Sequence, residues 1–462
     1  MNTTPATDTG GVVGTAAVDT VIIGAGQSGL ALGYYLAQQH RNFVILDAGT
    51  RVGDAWRSRW DSLRLFTPAK YNGLPGPPFP GDPLAFPTKD EQADYLEDYA
   101  SRFHLPVRPN TAVTRLSHDG QRFHVTAGTQ RWTAANVVLA TGACQLPKTP
   151  GFAAELPSYV VQIHSHNYKN PAQLKPGPVL VVGVGNSGAE IALETSRTHE
   201  TWLAGKPSAE IPFRHGRTAA RFFLPVVRFA GMHVLNTNTP VGRKVLPKIA
   251  AMATPLIRTK LADLGAAGVH VVPRVTGIQD GGVILDDGQS LPVANVIWCT
   301  GFTEAYPWLD IPALPANGRE QQHRGIVDAL PGLYLLGKDL IFAAASETLP
   351  GVCRTPNTWR SGSPPPGLRS TQRRSRAGRR HNARGHVLGA PGPAGVGTGN
   401  VGQVVSGGPM ISMLWRAAIA VSAGPSMGSG SGSSLRAAGA PASAVKVSKP
   451  AGTVITRQRK GS

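Results

Sequence analysis

Two glycine-rich turns carry the residue types whose spacing supports chemistry on a phosphate. The first is Gly24-Ala25-Gly26-Gln27-Ser28-Gly29 and the second is Gly183-Val184-Gly185-Asn186-Ser187-Gly188. Both spell G-x-G-x-x-G, which lets backbone N–H groups at a helix N-terminus close on a pyrophosphate. One such turn points to a dinucleotide-binding protein. Two, 159 residues apart, point to two dinucleotides held by one chain and to electron transfer between them.

The elements that must position these turns flank them. Val21-Ile22-Ile23 leads into the first and Val179-Leu180-Val181-Val182 into the second, short apolar runs of the kind that form buried parallel strands. A strand over Asp19–Ile23, a helix over Ser28–Gln39 and a strand over Asn42–Leu46 complete the first βαβ unit. Asp47 ends it 23 residues after Gly24, where a carboxylate accepts hydrogen bonds from a ribose 2′-hydroxyl. The second unit runs from Pro178 to about Leu203. Its closing run, Thr201-Trp202-Leu203-Ala204-Gly205-Lys206, has no Asp or Glu. A cation in place of the acid is how such a site accepts a 2′-phosphate. The second turn is therefore expected to take NADP through Lys206, with Arg214 and Arg217 as alternative phosphate partners.

Between the two units, residues 64–87 are rich in Pro and Gly and read as an ordered loop. Thr88 to Phe103 reads as a helix, with Thr88 as cap, Glu91 three residues on, and Tyr95, Leu96 and Tyr99 on one face. Residues 110–140 alternate as short antiparallel strands ending in Asn136-Val137-Val138-Leu139-Ala140-Thr141-Gly142. A near copy comes later as Asn295-Val296-Ile297-Trp298-Cys299-Thr300-Gly301. In each, small residues at the strand end let the backbone pass close to something bulky.

The formal charge of +19 would point to nucleic acid were it spread evenly. Residues 355–462 hold twelve Arg, three Lys and no acid, whereas residues 1–354 hold 31 basic and 27 acidic side chains. A basic binding surface is thus not expected on the folded part, and nucleic acid is not an expected partner. Cys144, Cys299 and Cys353 form no C-x-x-C and read as small buried hydrophobes. The histidines show no H-E-x-x-H spacing, so no metal is expected. Met1 to Gly14 lacks the charged and apolar regions of a secretory signal, and no run approaches the ~20 apolar residues of a membrane span. A cytoplasmic protein is expected. The apolar stretch from Ala220 to Ala230, interrupted by Arg and Pro, reads as a buried helix or tunnel wall rather than an anchor.

Taken together these residues resemble the class B flavin-dependent monooxygenases, a group of two-dinucleotide flavoproteins, over about residues 18–354. The fold that the resemblance implies is α/β, with two Rossmann-like dinucleotide-binding domains. An FAD domain (18–157 and 292–354) would be interrupted by an NADP domain (158–291) that carries a helical segment shaping the substrate pocket. Residues 1–17 would be disordered, and 355–462 would form a disordered, low-complexity basic tail. Arg51-Val52-Gly53-Asp54-Ala55-Trp56 is similar to the family's G-G-x-W segment, with Asp54 in the second Gly position. Thr141-Gly142 and Thr300-Gly301 resemble the two A-T-G elements that join the domains. His164-Ser165-His166-Asn167-Tyr168 resembles the end of the linker motif, its leading Phe and Gly being replaced by Ser158 and Val160. Pro331 to Gly337 resembles the last FAD-domain strand.

The resemblance places FAD on Gly24, Ala25, Gly26, Gln27, Ser28, Gly29, Asp47, Ala48, Trp56, Thr141 and Gly142. It places NADP(H) on Gly183, Gly185, Asn186, Ser187, Gly188, Lys206, Thr300 and Gly301. It implies an NADPH-dependent enzyme whose reduced flavin takes up O2 as a C4a-peroxyflavin and oxygenates a small organic substrate. His164 and Asn186 would hold NADP and exclude water, His164 being alternatively a hydrogen-bonded interdomain residue. Other readings are an FAD/NAD(P)-dependent oxidoreductase without oxygen insertion, or a non-catalytic or defective flavin-binding protein. The last arises because the family's turn and helix after Gly351-Val352 give way to Cys353-Arg354-Thr355-Pro356. The remaining sequence to Ser462 is expected to be out-of-frame translation of a GC-rich gene, a basic arm being the alternative.

Overall fold

Continuous apolar runs bounded by glycine build two parallel sheets, and the chain crosses between them twice. The computed structural model describes residues 15–207, 209–250, 254–311, 322–323 and 325–337. The chain opens with β1 (Thr15–Ile23), α1 (Gln27–Gln38), β2 (Phe43–Leu46), α2 (Asp54–Arg57), α3 (Lys89–Arg102) and β3 (Val107–Arg108). It continues through β4 (Arg115–His118), β5 (Phe123–Ala127) and β6 (Gln130–Leu139). Strands β3, β2, β1 and β6 lie side by side and parallel, with Ile22 of β1 opposite Ile45 on one side and Val138 on the other. The near-continuous apolar sequence of β1 and β2 reflects this: Val21, Ile22 and Ile45 have no exposed surface. The first half of β6 pairs antiparallel with β5, and β5 with β4, as the alternation over 110–140 implies.

The second sheet begins after β7 (Leu146–Pro147) with β8 (Val161–His164), β9 (Val179–Val182), α4 (Asn186–Thr195) and β10 (Thr201–Ala204). A helical stretch comes next with α5 (Leu224–Phe229), α6 (Pro240–Ala250) and α7 (Leu261–Ala266), then β11 (His270–Val272). An antiparallel ribbon of β12 (Val275–Gln279), β13 (Gly282–Leu285) and β14 (Ser290–Leu291) precedes β15 (Asn295–Trp298) and β16 (Phe302–Thr303). The sheet order is β11-β10-β9-β15-β8, all parallel. The chain then returns to the first sheet through β17 (Gln322–His323), β18 (Ile326–Val327) and β19 (Leu333–Leu335), the last parallel to β6. This is the doubly wound α/β architecture expected from the two turns, with one unit inserted in the other.

Four expectations need correction. Disorder through residue 17 does not hold, because Thr15, Ala16 and Ala17 pair with Arg131, Trp132 and Thr133. The return to the first sheet does not begin at residue 292: β15 lies between β9 and β8, so the crossing comes after Gly301. The stretch from Ala220 to Ala230 is helical but not a fully buried helix: Ala220 is enclosed, while Phe222 and Phe229 face outward. Cys144 is exposed rather than buried. Residues 1–14, the turn at Gly351, Cys353 and the basic tail lie outside the described residues.

Helix α3 shows how local chemistry sets an element. Thr88 accepts a hydrogen bond from the Glu91 N–H at 3.1 Å, and the Glu91 carboxylate accepts one from the Thr88 N–H at 2.7 Å. That reciprocal pair closes the N-terminus, while Tyr95, Leu96 and Tyr99 are buried against α1 and the 64–87 loop. Thr88→Ala is expected to lower the unfolding free energy by about 1 kcal/mol in urea titration, with no change in the native circular dichroism spectrum.

Candidate functional site

The two glycine turns have the same construction, down to which atom each glycine faces. In the first, the Gly24 N–H donates to the Leu46 carbonyl and the Ala140 N–H to the Ile23 carbonyl; in the second, Gly183 donates to Ala204 and Cys299 to Val182. Gly24 and Gly183 have φ of +110° and +115°. A Cβ there would lie 2.5 Å from the Ala140 oxygen and 2.4 Å from the Cys299 oxygen. Gly29 and Gly188 are forced in another way, since an added Cβ would lie 1.9 Å from the Gly24 or Gly183 oxygen. The middle residues differ. Gly26 and Gly185 have ordinary φ values of −73° and −103°, and an added Cβ would meet no protein atom within 4 Å. The protein itself gives no reason for glycine at these two positions, whereas a pyrophosphate drawn against the backbone does.

The helices after the turns carry the same signature. Neither α1 nor α4 has a side-chain cap or an acidic residue in its first turn, in contrast to the full capping box on α3. The N–H groups at their starts, over Gln27-Ser28 and Asn186-Ser187, are thereby left to an anion. The residues present fit two dinucleotides.

The strand ends distinguish the turns. The Asp47 carboxylate accepts from the Ala25 N–H at 2.5 Å and the Gly49 N–H at 2.8 Å, one on each oxygen, which leaves lone pairs for ribose hydroxyls. Because Leu46 and Ala204 hold equivalent places, the residue matching Asp47 is Gly205, and Lys206 beside it is exposed. The acid is replaced by no side chain at all. Of the alternative cations, Arg217 is ion-paired with Asp82, and Arg214 lies 3.6 Å from Asp263. Ala48 is exposed beside Asp47, while Trp56 packs on the cluster that contains Ala25. Asp54 has a structural task. It accepts from the Thr50 hydroxyl at 2.6 Å and the Arg51 N–H at 3.0 Å, closing the turn into α2. Burial would raise its pKa, but these hydrogen bonds hold it below the usual carboxylate value.

Thr141-Gly142 and Thr300-Gly301 stand where the chain leaves and re-enters the first sheet. The exits pair with each other: β7 and β16 form a ribbon, with Phe302 opposite Pro147 and Thr303 opposite Leu146. Gln145 ties it on both sides, donating to the Thr141 hydroxyl and accepting from the Ala305 N–H. His164 is buried here, its Nδ1 accepting from the His166 N–H and its Nε2 donating to the Gly301 carbonyl at 3.1 Å. Burial lowers its pKa below the usual 6.5, against the opposite pull of that carbonyl. Neutral and with both nitrogens engaged, His164 fixes the crossing. Asn186 is similarly occupied, its amide donating to the Pro255 carbonyl and accepting from the Ile257 N–H.

Further residues complete the seam. Trp60, from the first unit's loop, is buried in the core of the second with Tyr168, Val181 and Ile297. Arg258 lies 3.6 Å from Glu190 on α4 and donates to the Arg64 carbonyl at 2.8 Å. Glu190 is one helical turn from Asn186, a spacing that could have flagged it. Burial raises its pKa from 4.5 to about 7, with Arg258 pulling the other way. Cys299 is half-buried rather than buried, desolvation pushes its thiol up to about 12, and it and Cys144 are free cysteines. Among the described residues no three His, Cys, Asp or Glu side chains form a group able to hold a metal ion.

Residues 21–208 match the model of the pyridine nucleotide-disulphide oxidoreductase family. The chain is 39% identical over 338 residues to a CzcO-like oxidoreductase of Geobacillus kaustophilus, covering 72% of this chain and 95% of that protein. It also superposes on a flavin-containing monooxygenase from Stenotrophomonas maltophilia with a TM-score of 0.61 and 31% identity, over 75% of this chain and 98% of that one. The chain belongs to the class B flavin-dependent monooxygenase family. Another relative, the probable indole-3-pyruvate monooxygenase YUCCA9 of Arabidopsis thaliana, is 30% identical over 63% of this chain and 76% of its own length. As a class B flavin-dependent monooxygenase the chain is an oxidoreductase, and the inserted arrangement of its sheets matches the expected order.

The geometry of the turns and of Glu190 leads to two expectations. Gly29→Ala and Gly188→Ala should each lower ligand-free stability by more than about 2 kcal/mol in urea titration, while Gly26→Ala and Gly185→Ala stay within about 1 kcal/mol of the native protein. For Glu190, the folded state holds the proton more tightly than the unfolded one. Its contribution is therefore lost as pH rises from 4.5 through about 7. Stability should fall by roughly 3 kcal/mol across that window, and Glu190→Gln should flatten the fall.

Proposed function

We propose that this chain is an FAD- and NADPH-dependent monooxygenase that oxygenates a small organic substrate with O2. The observation that carries the reading is the pair of turns whose middle glycines face open space, set apart by Asp47 on one and Gly205-Lys206 on the other. In this reading FAD lies on Gly24 to Gly29, with Asp47 and Ala48 at its ribose and Trp56, Thr141 and Gly142 along its length. NADP(H) lies on Gly183 to Gly188, with Lys206 at the 2′-phosphate and Thr300-Gly301 where the chain turns back. When bound, FAD supplies the acceptor for the NADPH hydride and the centre at which O2 is activated.

The chain's own residues would position and shield. The uncapped starts of α1 and α4 neutralise the two pyrophosphates. His164 keeps the Gly301 carbonyl in place, and Asn186 holds the Pro255–Ile257 segment against the second turn. Both then act as positioning residues rather than proton carriers. Trp60 and Arg258 close the seam that must exclude water if oxygen is to reach substrate instead of leaving as peroxide. The absence of a C-x-x-C argues against the disulfide-reducing alternative, and Cys299 and Cys144 are free cysteines.

The test is the purified protein's visible flavin spectrum, followed by NADPH consumption and product analysis with amines, sulfides and ketones. Bound flavin with oxygenated product supports the reading; absence of flavin sinks it, and NADPH oxidation that yields only peroxide favours an enzyme without oxygen insertion. Gly26→Ala is expected to abolish flavin retention. Gly185→Ala should keep the flavin while weakening NADPH binding at least about tenfold, and Lys206→Glu should shift preference toward NADH by about tenfold or more.

A further inference from the structure

The near balance of charge over residues 1–354 conceals a segregation. Residues 211–262 hold nine Arg and Lys and no Asp or Glu, while the rest of 1–354 holds 22 basic side chains against 27 acidic ones. The same segment gathers the exposed apolar surface. Among the described residues ten large apolar side chains are exposed, and six of them lie within the twenty residues from Phe222 to Val241. The helical backbone runs without a break from Ala219 to Val234, and α6 begins shortly after. Gly242 packs on Asn236, which is buried, so α6 is held against the end of the preceding helix.

Within this segment Arg214, Arg217 and Arg258 are committed to Asp263, Asp82 and Glu190. Arg221, Arg243, Lys244 and Lys248 are exposed. Phe222 and Phe229 are 57% and 59% exposed, and lie against Arg221 and His233 close by in sequence. No helix among the described residues is long and apolar enough to cross a membrane. Helical segments that join exposed Phe to cations without acidic partners lie in the plane of a lipid surface instead.

We propose that the face formed by Ala219–Val234 and α6 docks on an anionic lipid bilayer, with Phe222 and Phe229 entering the headgroup boundary and Arg243, Lys244 and Lys248 meeting lipid phosphates. Charge decides this occupant. A second copy of the chain would bring the same cations face to face. The chain's own residues 355–462, with fifteen cations and no acid, offer no complementary charge. An anionic bilayer offers both the negative surface and an apolar phase within a few ångströms of it. None of these residues belongs to the glycine turns, so vesicle binding is read separately from flavin and NADPH binding.

The experiment is co-sedimentation of the full-length protein with phosphatidylcholine vesicles, with and without phosphatidylglycerol. Binding should be at least about tenfold tighter on the anionic vesicles and weaken with salt. Phe222→Ser/Phe229→Ser and Arg243→Gln/Lys244→Gln/Lys248→Gln, each checked for an unchanged melting curve, should both weaken it about tenfold. The basic tail is intact in both variants. Vesicle binding equal to wild type in both would assign it to the tail and overturn the proposal. Loss in the cationic variant alone, or affinity for polyglutamate in place of vesicles, would point to a purely charged or protein partner and overturn it too.

Discussion

The contact on which most of this structure depends is backbone against backbone: the carbonyl at the end of one strand resting on the first glycine of the neighbouring turn. Ala140 does this to Gly24 and Cys299 to Gly183. Any Cβ would separate the strands at the point where the next helix must start. With glycine, β1 and β6 stay in register to Leu139 opposite Ile23, and β9 and β15 stay in register to Trp298 opposite Val182. The close fit aims each helix N-terminus at the same place relative to its sheet. It also sets where the chain departs, one residue before Thr141 and Thr300. Turn, helix start and crossing are therefore one packing solution used twice.

The two uses have diverged where a ligand would be told apart. Asp47 is held by two N–H groups, so its carboxylate is oriented before any ribose arrives. At the matching position Gly205 offers space, and the cation stands beside it on the surface. Between the two units the seam is made of crossed commitments. Trp60 is a residue of the first unit buried in the second, and Arg258 a residue of the second that reaches the Arg64 carbonyl of the first. His164 and the β7–β16 ribbon hold both crossings to a single geometry.

Much of the site was legible because its requirements are local. A G-x-G-x-x-G between an apolar run and a helix, with an acid at the next strand's end, is set by bond lengths and the reach of an N–H group. Those do not change with the rest of the fold. The Thr88–Glu91 cap and the antiparallel strands over 110–140 were legible for the same reason. The boundary at residue 292 was misread because β15 ends like β6, and the pattern does not say which sheet each strand joins. Full burial was over-read for Ala220 to Ala230, where apolar sequence leaves Phe222 and Phe229 exposed. Arg258 and Glu190 escaped notice because their partners are distant in sequence.

By itself the sequence determined that two dinucleotide turns exist, that one carries an acid and the other does not, and that the chain's excess charge sits mainly beyond residue 354. Each of these rests on motif spacing within one βαβ unit, or on composition, and neither needs the third dimension. Only the tertiary structure decided that the middle glycines face open space, that Gly205 is the counterpart of Asp47, and that His164 and Asn186 spend their hydrogen bonds on the chain's own backbone. It also decided that the cationic, apolar segment after β10 faces outward. These are facts about which distant atoms occupy or leave a volume, and only the packed chain sets that.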